Sequence, residues 1–484
     1  MTNNVQDTLQ LKKYLFIDGK KVEADRYTDL CSPYSGEKIA EIAMADEKLV
    51  KEAISVADKA YPKIAGMPAF ERAAILERVV ALLTERADEA ARILALECAK
   101  PLTFAKAEVS RTIETYKFAA EEAKRIHGET IPFDASPGGV GRIGYTVRKP
   151  IGVIGAITPF NFPLNLVAHK VGPAIASGNS VVLKPASQTP LSALFIAELF
   201  QEAGLPDGVL NVVTGSGSVV GEALIHDDRV QMITFTGSPA VGIGIRNKAG
   251  LKKTTLELGS NAAVIVDKNI EIDRIVDRCV MGAFSNQGQV CISLQRIYAH
   301  ENVYEELVGK LVTATKQLKI GDPLEPETHI SALISKNETE RAVSWIQEAK
   351  QQGAVVLAGG QTEDGILQPT ILTNVHPTLK VSCQEVFAPI VIVNKVSSVE
   401  EAIEYVNDSR YGLQAGIYTE NINQALTAAN QLEVGAVLIN DIPTFRVDHM
   451  PYGGVKESGT GREGIKYAIE EMTEMKLIVW NQNL

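Results

Sequence analysis

The chain has 484 residues, of which 45% are hydrophobic and 22% are charged, the composition of an ordinary globular enzyme. Its formal net charge is −11, which disfavours nucleic acid as a partner because phosphate backbones are bound by basic surfaces. No apolar run reaches the ~18 residues of a membrane-spanning helix, and the first residues lack the basic and then apolar pattern of a signal peptide. We therefore expect a cytoplasmic protein that binds neither nucleic acid nor a membrane.

The cysteines and histidines are spaced unlike metal ligands. The five cysteines are widely separated and odd in number, and no Cys-x-x-Cys pair occurs. This pattern disfavours both a disulfide framework and a zinc site, and it fits a reducing compartment. The seven histidines show no ligand spacing either, so the sequence predicts no metal.

The first third of the chain changes pattern twice. Residues 1–45 are typical of short strands and turns. From Asp46 to about His127, apolar residues recur at helical spacing, and Pro101 separates two of the predicted helices. Residues 128–149 predict an extended arm, which fits subunit pairing and a surface hairpin equally well.

Between Ile151 and Val266, short apolar strands alternate with helices, the pattern of a parallel sheet with helices on both faces. Ligands of such sheets bind beyond the carboxyl ends of the strands. The segment Phe235-Thr236-Gly237-Ser238 falls at such a position, where Gly237 permits a tight turn and the next helix offers free N–H groups to a phosphate. Since it is not Gly-x-Gly-x-x-Gly, it favours a dinucleotide site only slightly over a plain strand–helix turn.

A second alternating block spans about residues 262–450 and predicts a second α/β domain. The tail from Met475 to Trp480 has strand character. An exposed apolar strand of this kind favours pairing with another subunit.

The stretch from Thr254 to Ser293 contains two residues with reactive side chains, the acid Glu257 and the thiol Cys291, each near a glycine. A thiolate attacks a carbonyl carbon well, and a carboxylate can activate water to hydrolyse the thioester that results. A structural thiol and a surface acid are the alternative, which the glycines and the motifs described next disfavour.

Seven short motifs are spread over nearly the whole chain. They are Thr158–Pro163, Lys184–Ala186, Phe235–Ser238, Leu256–Gly259, Gly288–Cys291, Glu385–Pro389 and Pro451–Gly459. With these motifs in this order, the chain resembles the NAD(P)-dependent aldehyde dehydrogenase superfamily, and in particular its lactaldehyde dehydrogenase-like branch.

This resemblance implies an α/β protein with three parts. Residues 1–127 and 150–257 would form a Rossmann-like NAD(P)-binding domain, and residues 258–450 an α/β catalytic domain. Residues 128–149 and 470–484 would form a small β oligomerisation arm, which favours the subunit-pairing interpretation, in a dimer or a tetramer.

The resemblance also implies a reaction in which an aldehyde is oxidised to its carboxylic acid. Cys291 would attack the aldehyde carbon, while the side-chain amide of Asn161 and the backbone N–H of Cys291 bind the oxyanion. Hydride would pass to the nicotinamide and leave a thioester. Glu257 would then activate the water that releases the acid.

For the cofactor, the resemblance places Lys184 at the adenosine ribose, Glu385 at the nicotinamide ribose and Phe387 beside the ring. The turn made by Phe235, Gly237 and Ser238 would face the pyrophosphate. Many NAD-preferring members carry glutamate where this chain has Ser187. A carboxylate there repels a 2′-phosphate and serine does not, so NADP should be tolerated beside NAD.

Three residues are expected to line the substrate tunnel, namely Arg111, His169 and Arg446. Arginine binds phosphate, sulfonate and carboxylate through paired donors, although both arginines could equally form structural ion pairs. Together with these arginines, the resemblance to the lactaldehyde dehydrogenase-like branch implies a short polar or anionic aldehyde of the lactaldehyde, sulfolactaldehyde, phosphonoacetaldehyde or semialdehyde type.

Two other functions would share part of this sequence pattern. A CoA-acylating semialdehyde dehydrogenase would share the fold, but Glu257 in its motif argues for release by water instead. A cysteine hydrolase without a dinucleotide would leave Lys184, Glu385 and Phe387 without a role.

Overall fold

The structure is a computed structural model that describes residues 12–482. The predictions made for the first eleven residues and for the last two residues of the arm lie outside the described residues. Within residues 12–482, no helix is both long and apolar enough to cross a bilayer.

The strands, in chain order, are β1 (Lys12–Lys13), β2 (Leu15–Ile17), β3 (Lys20–Val22), β4 (Arg26–Cys31), β5 (Lys38–Met44), β6 (Thr130–Ile131), β7 (Arg142–Pro150), β8 (Val153–Ile157), β9 (Ser180–Lys184), β10 (Leu210–Val212), β11 (Val230–Thr236), β12 (Lys253–Glu257), β13 (Ala263–Val266), β14 (Arg296–His300), β15 (Val355–Ala358), β16 (Thr362–Glu363), β17 (Ile366–Leu367), β18 (Thr370–Thr373), β19 (Ile390–Val396), β20 (Tyr411–Gly412), β21 (Gln414–Tyr418), β22 (Ala436–Ile439), β23 (Val455–Lys456), β24 (Gly459–Thr460) and β25 (Thr473–Asn481).

The α-helices are α1 (Glu47–Ala65), α2 (Ala69–Glu85), α3 (Ala87–Cys98), α4 (Leu102–Ala123), α5 (Asn165–Ser177), α6 (Leu191–Glu202), α7 (Glu222–His226), α8 (Pro239–Lys248), α9 (Val276–Phe284), α10 (Glu301–Thr315), α11 (Lys336–Gln351), α12 (Lys380–Cys383), α13 (Val399–Asn407), α14 (Ile422–Gln431) and α15 (Ile465–Glu471). Pro101 separates α3 from α4, as predicted.

The first large sheet has eight strands in the order β24-β12-β11-β8-β9-β10-β2-β3. Its five central strands, β12 to β10 in that order, run parallel, which confirms the predicted parallel sheet. Strands β8 and β9 are buried at every residue, because helices cover both faces. The carboxyl ends of β9, β11 and β12 lie on one edge and carry Lys184, Thr236 and Glu257.

The second large sheet has seven strands in the order β15-β18-β19-β14-β13-β21-β22 and is parallel except for β15. It uses residues 355–439 together with β13 and β14, so it falls within the part of the chain predicted as the second α/β domain. After this sheet the chain returns to the first one, where β24 pairs antiparallel with β12, at Leu256↔Thr460 and Glu257↔Gly459.

A small third sheet joins the arm to the C-terminal tail. Strand β25 pairs antiparallel with β7 over nine residues, from Thr473↔Pro150 to Asn481↔Arg142, and β6 lies on the other side of β7. Strand β25 is the outer strand of this sheet.

Helix α5 determines where the polar groups of the interior have to go. All thirteen of its residues are buried, including His169 and Lys170. A charged or polar side chain in such a place needs a partner, since an unpaired buried charge is strongly destabilising. The partners come from α4, from β11 and from the segment between Ile442 and Ile465, which packs against α5.

Candidate active site

A cavity of about 1120 Å³ is bounded by the carboxyl edge of the first sheet, by α4 and by the loop that carries Cys291. It brings together twelve of the thirteen residues predicted from the sequence. They are Arg111, Asn161, Lys184, Ser187, Phe235, Gly237, Ser238, Glu257, Cys291, Glu385, Phe387 and Arg446.

The loop before Cys291 makes a left-handed turn. Asn286, Gln287 and Gly288 have φ values of 49°, 55° and 70° in succession. Only glycine fits the third position, because a Cβ there would lie 2.2 Å from the carbonyl oxygen of Ala388. The turn closes with a hydrogen bond from the N–H of Gln289 to the carbonyl of Asn286.

The thiol of Cys291 lies at the end of this turn, with Sγ 2.8 Å from the hydroxyl of Tyr452. Burial raises the pKa of the Cys291 thiol to about 11, against the opposing effects of the Tyr452 hydrogen bond and the nearby Arg446 guanidinium. That guanidinium lies over the Tyr452 ring, 3.6 Å from its centroid. At neutral pH the group is therefore a thiol, and it has to lose its proton before it can act as a nucleophile.

Glu257 ends β12 and is 3% exposed. Neither carboxyl oxygen has a hydrogen-bond partner among the described residues. Burial and the neighbouring Glu463 carboxylate raise the pKa of Glu257 well above its usual range. Gly453 leaves room for this carboxyl, since a Cβ there would come within 2.9 Å of Oε1. A buried acid of raised pKa without partners, in a cavity, is typical of a general base.

Asn161 is buried against the Cys291 loop. Its side-chain Nδ2 donates to the carbonyl oxygen of Gln289 over 2.9 Å. Because that carbonyl can only accept, the nitrogen and not the oxygen of the amide faces the loop. Nδ2 carries a second hydrogen, which is available to an oxyanion in the cavity.

Two buried charged groups in the cavity suit the ribose hydroxyls of a dinucleotide. The Lys184 ammonium donates to the Pro185 carbonyl at 2.9 Å, and burial lowers the pKa of this lysine to about 8. Glu385 accepts from the N–H of Ser260 at 3.0 Å, and burial raises its pKa to about 7. Neither group is paired in a salt bridge with a described residue, so each can bind a hydroxyl.

The turn after β11 suits a pyrophosphate. A Cβ on Gly237 would lie 2.5 Å from the Phe235 ring, so the turn needs glycine. Helix α8 begins directly after Ser238 without a side-chain cap, which leaves its first N–H groups for a ligand. The exposed Ser187 donates to the carbonyl of Gly215 at 3.2 Å. The residues of this chain therefore fit NAD or NADP.

Arg111 and Arg446 both line the cavity and both have carboxylate partners. Arg111 makes two hydrogen bonds to Asp448, at 3.1 and 2.7 Å, with a third of its side chain exposed. Arg446 donates to Glu463 at 3.0 Å, and its buried Nε has no partner among the described residues.

The expectation that His169 lines the tunnel is not met. Its side chain lies behind the cavity wall, where Nε2 is 2.9 Å from Asp448 and 3.2 Å from Arg446. Burial and the Arg446 charge lower its pKa, so the ring is neutral. The reason is that α5 is buried on every face, which a residue count from Asn161 does not reveal.

Four residues that contact this site were not identified from the sequence, namely Lys170, Asp448, Tyr452 and Glu463. Lys170 donates to Glu463 at 2.9 Å and to Thr236 at 2.8 Å. Although burial favours the neutral acid, Lys170 and Arg446 hold the pKa of Glu463 well below its usual range. A lysine and a histidine inside the apolar run of α5 were a signal that buried acids must lie nearby.

Known proteins resemble this chain from end to end. It is 47% identical to a 3-sulfolactaldehyde dehydrogenase of Priestia aryabhattai, with 98% of this chain and 99% of that protein covered. It is 41% identical to a lactaldehyde dehydrogenase of Methanococcus aeolicus, with 96% of this chain and 100% of that protein covered. Among solved structures, a glyceraldehyde-3-phosphate dehydrogenase from Methanocaldococcus jannaschii complexed with NADP superposes with a TM-score of 0.91 at 40% identity, with 94% and 100% covered.

The aldehyde dehydrogenase family model matches residues 20–478, which include the seven motifs and nearly all of the three sheets. This match and the end-to-end relatives confirm the function class and the cofactor class predicted from the sequence. The chain belongs to the aldehyde dehydrogenase family and is an NAD(P)-dependent oxidoreductase.

Proposed function

We propose that Cys291, Asn161 and Glu257 carry out the oxidation. The observation that supports this assignment is the presence of all three in one cavity, with Glu257 buried and without a partner. The cavity also holds the residues that suit the cofactor. NAD or NADP, when bound by Lys184 and Glu385, supplies the acceptor for a hydride.

The first bond forms between Sγ of Cys291 and the aldehyde carbon, after the thiol has passed its proton to solvent water. The aldehyde oxygen becomes an oxyanion, to which Asn161 Nδ2 and the backbone N–H of Cys291 donate. Loss of hydride from the same carbon leaves a thioester on Cys291.

Glu257 then removes a proton from water, and the hydroxide attacks the thioester carbon. The carbon–sulfur bond breaks, which regenerates Cys291 and releases the carboxylic acid. Burial and Glu463 raise the pKa of Glu257, and a carboxylate with a raised pKa accepts a proton more readily than an ordinary glutamate does.

Removing the thiol and removing the base should have different results. Cys291→Ala should abolish reduction of the nicotinamide. Glu257→Gln should still give a burst of about one reduced nicotinamide per subunit, followed by a steady rate lower by about 10²- to 10⁴-fold, because acylation precedes the step that needs the base. Stopped-flow absorbance of the reduced nicotinamide measures both phases.

Cys383→Ala, which removes another partly exposed thiol, is the control and should keep the parent rate. A Cys291→Ala protein that reduces nicotinamide at the parent rate would contradict the assignment. Acceleration of the Glu257→Gln steady rate by CoA would point to release of the acyl group by a thiol acceptor rather than by water.

We further propose that the substrate is a short aldehyde that carries a polar or anionic group, as do those named in the relatives. The cations Arg111, Lys170 and Arg446 lie at this end of the cavity and are paired with two carboxylates, those of Asp448 and Glu463. Three cations paired with two carboxylates favour an anionic substituent. The unpartnered Nε of Arg446 and the exposed part of Arg111 are the donors that such a group would meet.

Lactaldehyde and 3-sulfolactaldehyde differ only by a sulfonate, so they form a matched pair of substrates. Arg111→Met should lower kcat/KM for 3-sulfolactaldehyde by about 10- to 100-fold, because a hydrogen bond to a charged group contributes about that much. The kcat/KM for lactaldehyde should change less than about threefold. Lys117→Met, on the exposed side of the same helix, is the control. Equal losses for both aldehydes would show that Arg111 has only a structural role.

We also propose that NADP is accepted as well as NAD, because Ser187 offers a hydroxyl where a carboxylate would repel the 2′-phosphate. Ser187→Glu should lower kcat/KM for NADP by at least about tenfold while leaving NAD within about threefold. Ser187→Ala is the control, and it should change the kcat/KM for either cofactor by less than Ser187→Glu changes the kcat/KM for NADP. A parent enzyme with a large preference for NAD, unaffected by Ser187→Glu, would contradict the proposal.

The small third sheet supports self-association as a dimer or tetramer. On β25, Met475, Leu477 and Val479 alternate along one face and are 55%, 51% and 44% exposed. An apolar face of this size on an outer strand is typical of a protein–protein contact.

Replacing Leu477 by glutamate should place a charge in this contact and lower the molar mass in solution to that of a monomer. Sedimentation velocity measures the mass, and Lys476→Glu, a change on the opposite face of the strand, is the control. A parent protein that is monomeric at all concentrations would contradict the proposal.

A further inference from the structure

A fully buried ion pair lies beside the active site and has no part in the chemistry described above. Lys100, in the turn between α3 and α4, is paired with Glu108 on α4, and both side chains are completely inaccessible. Burying two charges carries a large desolvation cost that a packed apolar pair would avoid. Such a pair calls for an explanation beyond stability.

Lys100 uses its ammonium to hold the loop that carries Asn161. Besides Glu108, its Nζ donates to the backbone carbonyl of Asn161 at 2.7 Å. The ammonium also lies 3.9 Å from the centre of the Phe162 ring, a cation–π contact. The three contacts fix the lysine in place and attach the loop to it.

Glu108 holds the other end of the same loop. Its Oε1 accepts from the backbone N–H groups of Leu164 and Asn165, at 3.0 and 3.1 Å, where α5 begins. The segment from Asn161 to Asn165 is thus bound at both ends to one buried ion pair.

The same region is bonded to the Cys291 loop. Asn286 donates from Nδ2 to the carbonyl of Asn161 at 3.2 Å, beside the bond from Lys100. Gln287 donates to the carbonyl of Ala99, the residue before Lys100, at 2.9 Å. The position of Asn161 relative to Cys291 is therefore set by Lys100 from one side and by Asn286 from the other.

We propose that Lys100 is a positioning residue for the oxyanion donor, holding Asn161 so that its amide Nδ2 faces the aldehyde oxygen, where the negative charge develops. The proposal rests on the proposed role of Asn161 as that donor. A displacement of about 1 Å in such a group costs on the order of 10² in rate, whereas binding of the cofactor, which uses other residues, is unaffected.

The test uses the double variant Lys100→Met/Glu108→Gln, which removes both charges and leaves neither one buried alone, with the single variant Lys100→Met beside it. Each should lower the single-turnover rate of acylation by about 10- to 100-fold at saturating aldehyde, with the KM for the cofactor within about threefold of the parent. Lys106→Met, at an exposed lysine of α4, the helix that carries Glu108, is the matched control and should retain the parent rate.

A double-mutant cycle with Asn161→Ala separates positioning from general damage. Once the donor is gone, Lys100→Met should lower the acylation rate by no more than about threefold further, because it acts through that donor. A loss as large in the Asn161→Ala background as in the parent would overturn the proposal, as would a Lys100→Met protein with the parent rate. An Asn161→Ala protein with the parent acylation rate would instead refute the proposed role of Asn161 as oxyanion donor. The single variant Asn161→Ala in the cycle tests that role separately.

Discussion

The burial of charge around α5 is the constraint on which the site depends. Because every residue of α5 is buried, the side chains of Lys170 and His169 need polar partners. Lys170 pairs with the carboxylate of Glu463, and His169 contacts the carboxylate of Asp448. Both acids belong to the last fifth of the chain. Their attachment to α5 requires that segment to return to the first sheet, where β24 pairs beside Glu257. The cavity is closed by the same return, which brings Tyr452 to Cys291.

The same low-dielectric surroundings shift the pKa values of the reacting groups. Burial raises the pKa of the Cys291 thiol to about 11, and burial and the Glu463 carboxylate raise the pKa of Glu257 well above its usual range. A thiolate and a carboxylate in one site also raise each other's pKa, because like charges repel.

Much of the architecture and chemistry was predictable from local pattern. The alternation of short apolar runs and helices gave the parallel sheet, and Pro101 marked a helix boundary, because both depend on residues close together in the chain. Twelve of the thirteen predicted site residues line one cavity, and nine of these twelve belong to the seven motifs. The role of His169 was inferred from its position relative to the tunnel of related enzymes, and there the geometry differs: the ring contacts Asp448 and Arg446 behind the wall.

The sequence by itself determined the class of fold, the thiol, the acid and the amide, because these follow from periodicity and from short motifs. Only the tertiary structure decided which charges pair. Arg111 meets Asp448 across 337 positions, and Lys170 meets Glu463 across 293. Lys100, in the turn between α3 and α4, donates to the Asn161 carbonyl across 61 positions. A buried charge pairs with whichever opposite charge the fold brings next to it. Residues that are hundreds of positions apart in the sequence become neighbours only on folding, and no local sequence pattern specifies which ones do.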